Sequence, residues 1–374
     1  MARALAAALV AAASIGLAVV ARSQPARVAP ESAAAAVPSP LGPFAVGTRR
    51  LTVVDRSRRD PLEVTAGGRE VALQIWYPTD AGGPRSPYAP AAVSRAIAQR
   101  ERLPARALMF RANAHVGAAV APGRFPVAIF SPGYGMTAYS YTALLEDLAS
   151  NGYIVVGITH IGDAVAAPGA KGQLRRAVLP ADAGRLRPGL LARDIAARVG
   201  DVRYVIASLS RLAARAHLAG SLDGGRIGVF GHSLGGLTAS HVTGTAGRVD
   251  CAANLAGSVF AVPRLARFTK PYLLMTGKKA DATLAAFWRR QRGPRWWLSL
   301  ERALHLDFSD WAWLTGQLAH GGLRPQAARQ VRLADEATVI ERHYLRSFFA
   351  RCLKRQNDGL LDAPPPYPGV SIRR

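Results

Sequence analysis

The sequence predicts an α/β fold in which a mostly parallel central sheet carries helices on both faces. Three observations carry that expectation. Continuous apolar runs of strand length, at 125–131, 153–158, 252–255 and 272–275, have the character of strands buried on both faces. Helical stretches alternate with them, as crossovers between parallel strands require. Finally, residues 224–236 read G-G-R-I-G-V-F-G-H-S-L-G-G, a short apolar strand that runs through a tight turn into Thr238-Ala239-Ser240-His241, the start of a helix.

Taken in order, 48–54 and 70–77 alternate apolar and polar residues, as in Val71-Leu73-Ile75, and form an antiparallel opening to the sheet. Residues 78–123 contain Pro, Gly and two arginine-rich helical pieces, either a flap over a site or a surface excursion. The strand at 125–131 empties into Pro132-Gly133-Tyr134-Gly135. A helix follows with Tyr141, Leu144, Leu145 and Leu148 on one face, stopped by Asn151-Gly152. Then come the strand at 153–158, a turn through Thr159-His160, an arginine-rich helix from about 190 to 214, and the strand into Ser233. Strands at 252–255 and 272–275, a helix from Asp281, a strand around 297–300 and a final helix over 337–353 complete the pattern.

At 374 residues and 49% apolar content the chain supports one large α/β domain or two ordinary ones, and disorder throughout is excluded. Its formal charge is +24, and five of its 48 basic residues are lysine. That balance attracts anionic surfaces at long range. The arginines do not form the blocks of a nucleic-acid tail and read as spread over the surface, so no specific nucleic-acid partner is expected. Met1-Ala2-Arg3, an apolar run over 4–20 and Ala21-Arg22-Ser23 read as an export signal cut before Gln24, with a retained membrane anchor as the alternative. The chain divides into a signal peptide at 1–23, a flexible linker rich in Ala, Pro and Ser at 24–45, and the folded domain at 46–374. Cys251, in an apolar strand, and Cys352, in an amphipathic helix, are either paired, as an oxidising compartment permits, or separately buried.

The pentapeptide Gly231-His232-Ser233-Leu234-Gly235 is a G-x-S-x-G in the strand, turn and helix context of a nucleophile elbow. Gly231 and Gly235 are needed because side chains there would collide where strand and helix meet. A serine is a poor nucleophile without a base. Of the eight histidines, His305 is the best placed, directly after the last predicted strand and so at the carboxyl edge of the sheet. Serine first and histidine late is the chain order of an α/β-hydrolase. His232 reads as buried packing, and His160 and His241 have no comparable context. The oxyanion donors expected are the backbone N–H groups of Leu234 and Tyr134.

The chain resembles the platelet-activating factor acetylhydrolase and dienelactone-hydrolase-like esterases of the α/β-hydrolase superfamily. The resemblance rests on Val46-Gly47-Thr48, Gln74-Ile75-Trp76-Tyr77-Pro78, Phe130-Ser131-Pro132-Gly133-Tyr134-Gly135, Leu148-Ala149-Ser150-Asn151-Gly152-Tyr153, the elbow, and His305-Leu306-Asp307-Phe308-Ser309-Asp310. It implies an α/β-hydrolase fold and a serine esterase for short or oxidised acyl esters, without metal or organic cofactor. Two departures stand out. The family's Ser-His-Gly in the oxyanion loop is Ser131-Pro132-Gly133 here, which spares the backbone donors. The family's triad aspartate is missing, because the segment that should read Asn-Leu-Asp-Gly is Asn254-Leu255-Ala256-Gly257. Asp250 begins the same strand, roughly 20 Å from its carboxyl end at about 3.3 Å per residue. Asp307 is too close to His305 in sequence to reach its ring, and Asp310 is expected to cap a helix. Asp281, after the next strand, is the replacement acid expected, its rival role being a helix N-cap. The function expected is an exported serine carboxylesterase with Ser233, His305 and Asp281 as its triad. The rivals are a degenerate hydrolase that binds an ester-like ligand without efficient turnover, and a cationic envelope-binding protein on the same scaffold.

Overall fold

The computed structural model describes residues 36–245, 247–262, 268–278, 283–318 and 325–374. Its elements in chain order are β1 (Ala45–Asp55), β2 (Arg69–Thr79), β3 (Arg85–Pro87), α1 (Ala91–Arg100), β4 (Arg111–Val116), β5 (Phe125–Ser131), α2 (Thr142–Ser150), β6 (Ile154–Thr159), β7 (Ala166–Pro168), β8 (Leu174–Arg176), α3 (Pro188–Arg215), β9 (Leu222–His232), α4 (Leu234–Thr243), β10 (Cys251–Leu255), β11 (Tyr272–Thr276), α5 (Thr283–Arg290), β12 (Arg295–Leu300), α6 (Trp311–Leu318), α7 (Pro325–Lys354) and β13 (Val370–Arg373).

Among the described residues the main sheet has the order β13-β12-β11-β10-β9-β5-β6-β2-β1-β4-β3. From β12 to β6 the strands run parallel. β2 is antiparallel to both β6 and β1, the opening the alternating sequence predicts. Every residue of β5, β6, β10 and β11 is buried, which is why those strands read as unbroken apolar runs. Successive side chains serve opposite cores. Phe130 and Phe230 join Leu145 and Phe349 beneath α2 and α7, while Ile129 and Val229 join Val202 and Leu237 beneath α3 and α4. Gly152 ends α2 with φ +80°, its N–H donating to Ala149 O at 3.0 Å, as the Asn-Gly stop predicts.

Four expectations need correction. Residues 36–45, assigned to the flexible linker, are fixed: Val37 is buried, Leu41 N–H donates to Asp147 Oδ1 and Gly42 N–H to Ser150 Oγ, each at 3.0 Å, and β1 begins at Ala45. The stretch 78–123 holds one helix, α1, rather than two. The stretch also contributes β4, which buries Ala112 and Ala114 on alternate positions and extends the sheet beside β1. Helix α7 starts at Pro325, twelve residues before the apolar periodicity becomes visible, with proline at its first position. Lastly, Arg69 and Arg198 are wholly buried and Arg342 nearly so, so the arginines are not confined to the surface.

Cys251, opening β10, is disulfide-bonded to Cys352 in the last turn of α7, across 101 residues of sequence. Cross-linking so long a loop restricts the unfolded chain. Cys352→Ser is therefore expected to lower unfolding free energy by about 2–5 kcal/mol. Denaturant titration with and without reductant checks this, and a wild-type midpoint insensitive to reductant would rule it out.

Candidate active site

The candidate site begins at the junction of β9 and α4. Ser233 sits between them at φ 55° and ψ −119°, a backbone that L-residues rarely adopt. Its N–H donates to Leu255 O at 2.8 Å and so ties the turn to the end of β10. A Cβ on Gly235 would overlap the carbonyl of Ser131, and one on Gly231 would strike the Gly235 backbone. The second collision is the expected one. The first brings in a neighbour the local sequence does not reveal, the carboxyl end of β5.

Residue His305 lies in a 3-10 turn, His305–Phe308, after β12. Its Nε2 is 2.9 Å from Ser233 Oγ, so two sequence-predicted residues 72 positions apart come together. The ring is largely withdrawn from water, and that desolvation pushes its pKa down to about 4. Neutral imidazole is the form that accepts a proton.

No carboxylate among the described residues hydrogen-bonds His305. Asp250 accepts from Ile227 N–H at 2.8 Å, beside the start of β10 and far from the edge that carries Ser233. Asp307 turns its Oδ2 back to Leu304 N–H at 2.8 Å. Asp310 caps a helix, though not through its neighbours in sequence: its carboxylate accepts Thr142 N–H at 2.8 Å and Ala143 N–H at 3.1 Å at the start of α2, besides Tyr88 Oη–H and Trp313 Nε1–H. Asp281 lies outside the described residues. Ala256 follows β10 with φ +51°, its N–H donating to Met275 O at 2.8 Å.

The oxyanion loop is held from beneath. Buried Arg198 of α3 donates to Pro132 O at 2.8 Å and Gly133 O at 3.1 Å. It also pairs with Asp163 and with Asp194, the latter at 3.3 Å. Asp163 Oδ1 accepts Gly135 N–H at 2.8 Å, and Arg100 Nη1 donates to Gly135 O at 2.5 Å. Gly133 N–H is taken by Tyr141 Oη at 3.0 Å. A trans peptide directs its C=O and N–H in opposite directions, so pinning Gly133 O to Arg198 turns Tyr134 N–H away from that guanidinium. Tyr134 N–H and Leu234 N–H meet no acceptor among the described residues, the state expected of oxyanion donors.

Further residues support this arrangement without showing in the sequence. Ser131 Oγ is 2.9 Å from His160 Nε2, whose Nδ1 is 3.0 Å from Asp201 Oδ2, and Arg69 binds that same carboxylate at 2.8 Å. Burial lowers the His160 pKa to about 4. This serine, histidine and aspartate are fully buried, so they anchor the end of β5 rather than meet a substrate. One signal was available: Asp194, Arg198 and Asp201, at i, i+4 and i+7, share a helix face with apolar residues and so mark charges turned inward.

A family model described as platelet-activating factor acetylhydrolase, isoform II, matches residues 31–173. Among solved structures the chain is similar to a ferulic acid esterase from Streptomyces cinnamoneus, with 31% identity and a TM-score of 0.76, over 91% of this chain and 100% of that one. The chain belongs to the esterases of the α/β-hydrolase superfamily. No curated protein matches it. Membership puts this α/β-hydrolase among the carboxylic ester hydrolases, with a small-molecule ester as the class of substrate. The family match covers β1 to β7 and so includes the loop at 132–135, while the elbow and His305 lie beyond it.

Arg198→Met would leave two buried aspartates without their counter-ion and free two loop carbonyls. A loss of about 3–5 kcal/mol in urea unfolding is expected. A loss below about 1 kcal/mol would show that the cluster does not brace the loop.

Proposed function

We propose that the protein is an exported serine esterase that acts through an acyl-enzyme. The observation carrying this reading is the 2.9 Å contact between His305 Nε2 and Ser233 Oγ on a strained elbow, together with two backbone N–H groups that meet no acceptor among the described residues. Ser233 Oγ attacks the ester carbonyl while His305 takes its proton. The tetrahedral oxyanion is held by the N–H groups of Tyr134 and Leu234. His305 then returns the proton to the departing alcohol, and water releases the acid by the same steps in reverse order. Short-chain acyl and phospholipid-like esters are the substrates the family reading favours, and an ester of ferulic acid is the second class, after the matched structure.

For the acid we propose Asp281. Its support is the path of the chain: after β11, Lys278 N–H donates to Ala303 O at 2.8 Å, two residues before His305, and Gly277 packs against the same carbonyl. A second reading, a degenerate hydrolase that binds esters with little turnover, draws on Ala256, where the family's aspartate would stand. Export is supported by the apolar run at 4–20 and by the Cys251–Cys352 disulfide, which suits an oxidising compartment. Retention of that run as a membrane anchor is the alternative to its cleavage, and in either case the +24 charge favours association with anionic surfaces.

Fluorophosphonate labelling and p-nitrophenyl acetate hydrolysis test it directly. Ser233→Ala should abolish both, and hydrolysis at the wild-type rate would overturn the catalytic reading. Asp281→Asn is expected to lower kcat by up to about 10⁴-fold. An inactive wild type restored by Ala256→Asp would favour degeneration instead.

The pH profile gives an independent check. A base depressed to about 4 stays neutral as pH falls through the ordinary histidine range and protonates only near that value. With burial acting alone, kcat/KM would hold down to about pH 5 and fall by half near about pH 4, a profile that would remove Asp281 from the triad. With Asp281 beside the ring, as proposed, its charge offsets the burial, and the acidic limb is expected near about 7.

A further inference from the structure

Residue His232 is the first of the two variable positions of the G-x-S-x-G pentapeptide, directly before Ser233 and fully buried. Its Nε2 lies 2.9 Å from the backbone carbonyl of His305 and its Nδ1 lies 2.7 Å from Tyr141 Oη. A carbonyl only accepts, so Nε2 carries the proton and Nδ1 accepts from the tyrosine. Desolvation holds this imidazole well below its ordinary pKa, which keeps that neutral tautomer in place. Tyr141 Oη in turn accepts Gly133 N–H at 3.0 Å. The hydrogen bonds therefore run in one direction, from the oxyanion loop through Tyr141 and His232 to the backbone of the base. The His232 and His305 rings lie 4.6 Å apart between centroids.

We infer that His232 is a positioning residue for catalysis, which with Tyr141 sets the oxyanion loop and the backbone of His305 in one frame relative to Ser233. The inference rests on the serine-esterase reading above. Fixing the His305 carbonyl fixes the direction of its Cα–Cβ bond, and so where the ring can swing. Leu304 N–H, bound by Asp307, secures the turn on the preceding side. In a site where no described carboxylate steadies the imidazole, this backbone hold is the restraint that brings Nε2 to Ser233. Gly133 is part of the same packing, since a Cβ there would come within 3.1 Å of His232 Nδ1 and 3.2 Å of Tyr141 Oη.

The test compares His232→Leu, His232→Gln, His232→Asn and Tyr141→Phe in the full chain, with p-nitrophenyl acetate as substrate. His232→Leu is expected to lower kcat by about 100-fold while KM moves less than about twofold, because misplaced groups slow chemistry without altering ground-state binding. His232→Gln, whose amide nitrogen reaches the His305 carbonyl, should recover about tenfold of that loss, and His232→Asn, which reaches toward Tyr141 instead, should not. A folded His232→Leu with kcat within about threefold of wild type overturns the inference, and so do equal rates for Gln and Asn should the leucine variant fail to fold. Imidazole NMR titration of His305 in the Ser233→Ala background, with and without His232→Leu, gives a readout that needs no turnover. His305 should titrate closer to the ordinary histidine value once the loop is released, and an unchanged titration counts against the role of His232. Failure of wild type to hydrolyse or label, with this titration shift present, would fault the esterase reading alone.

Discussion

Everything at the candidate site depends on how closely the first turn of α4 approaches the end of β5. The Ser131 carbonyl occupies the space that a Gly235 side chain would need, and the Gly235 backbone fills the same space at Gly231. Interiors are packed like crystals, so a contact of this kind has no slack. It brings the elbow against the strand that feeds the oxyanion loop, and it leaves Ser233 with a strained backbone whose N–H is anchored on β10. Strain at such a position persists because the surroundings over-determine it.

Beneath that contact lies a layer of buried charge. Arg198 with Asp163 and Asp194, and Arg69 with Asp60 and Asp201, are ion pairs removed from water. Desolvating such groups costs several kcal/mol each, repaid only when every charge is paired and hydrogen-bonded. Here the guanidinium of Arg198 divides its donors between carboxylates and loop carbonyls, so its remaining valence orients peptide groups. The loop that presents Tyr134 N–H is thereby fixed before any substrate arrives, the condition under which backbone dipoles are effective at an oxyanion.

Among the described residues His305 has no carboxylate partner of the kind a triad supplies. In that arrangement a carboxylate holds the histidine's tautomer and stabilises its charge. Among the described residues His305 is held through its own backbone and by its turn, and burial favours the neutral ring. Such an environment presents a ready acceptor but gives little support to the protonated form that follows attack. The position where the family carries its aspartate is an alanine with left-handed backbone, so the turn survives there without the charge.

The sequence by itself determined the parallel block of the sheet, the glycine-lined turn at Ser233 and the place of His305 just after a parallel strand. Each of these is written locally: fully buried strands are unbroken apolar runs, a tight strand-to-helix turn demands glycine, and a residue just after a parallel strand falls at its carboxyl edge. Only the tertiary structure decided what lies between distant segments. That β4 would pair beside β1, that 36–45 would dock on α2 and that Cys251 would meet Cys352 all depend on contacts across tens to hundreds of residues. The buried charges followed the same rule. Taken singly, an arginine in a helix or a strand reads as one more surface cation, and the partners, Asp163 for Arg198 and Asp201 for Arg69, come from elements that meet only in the folded chain. His232 was legible as a buried residue, but its role was not, because the carbonyl it holds belongs to a residue 73 positions away.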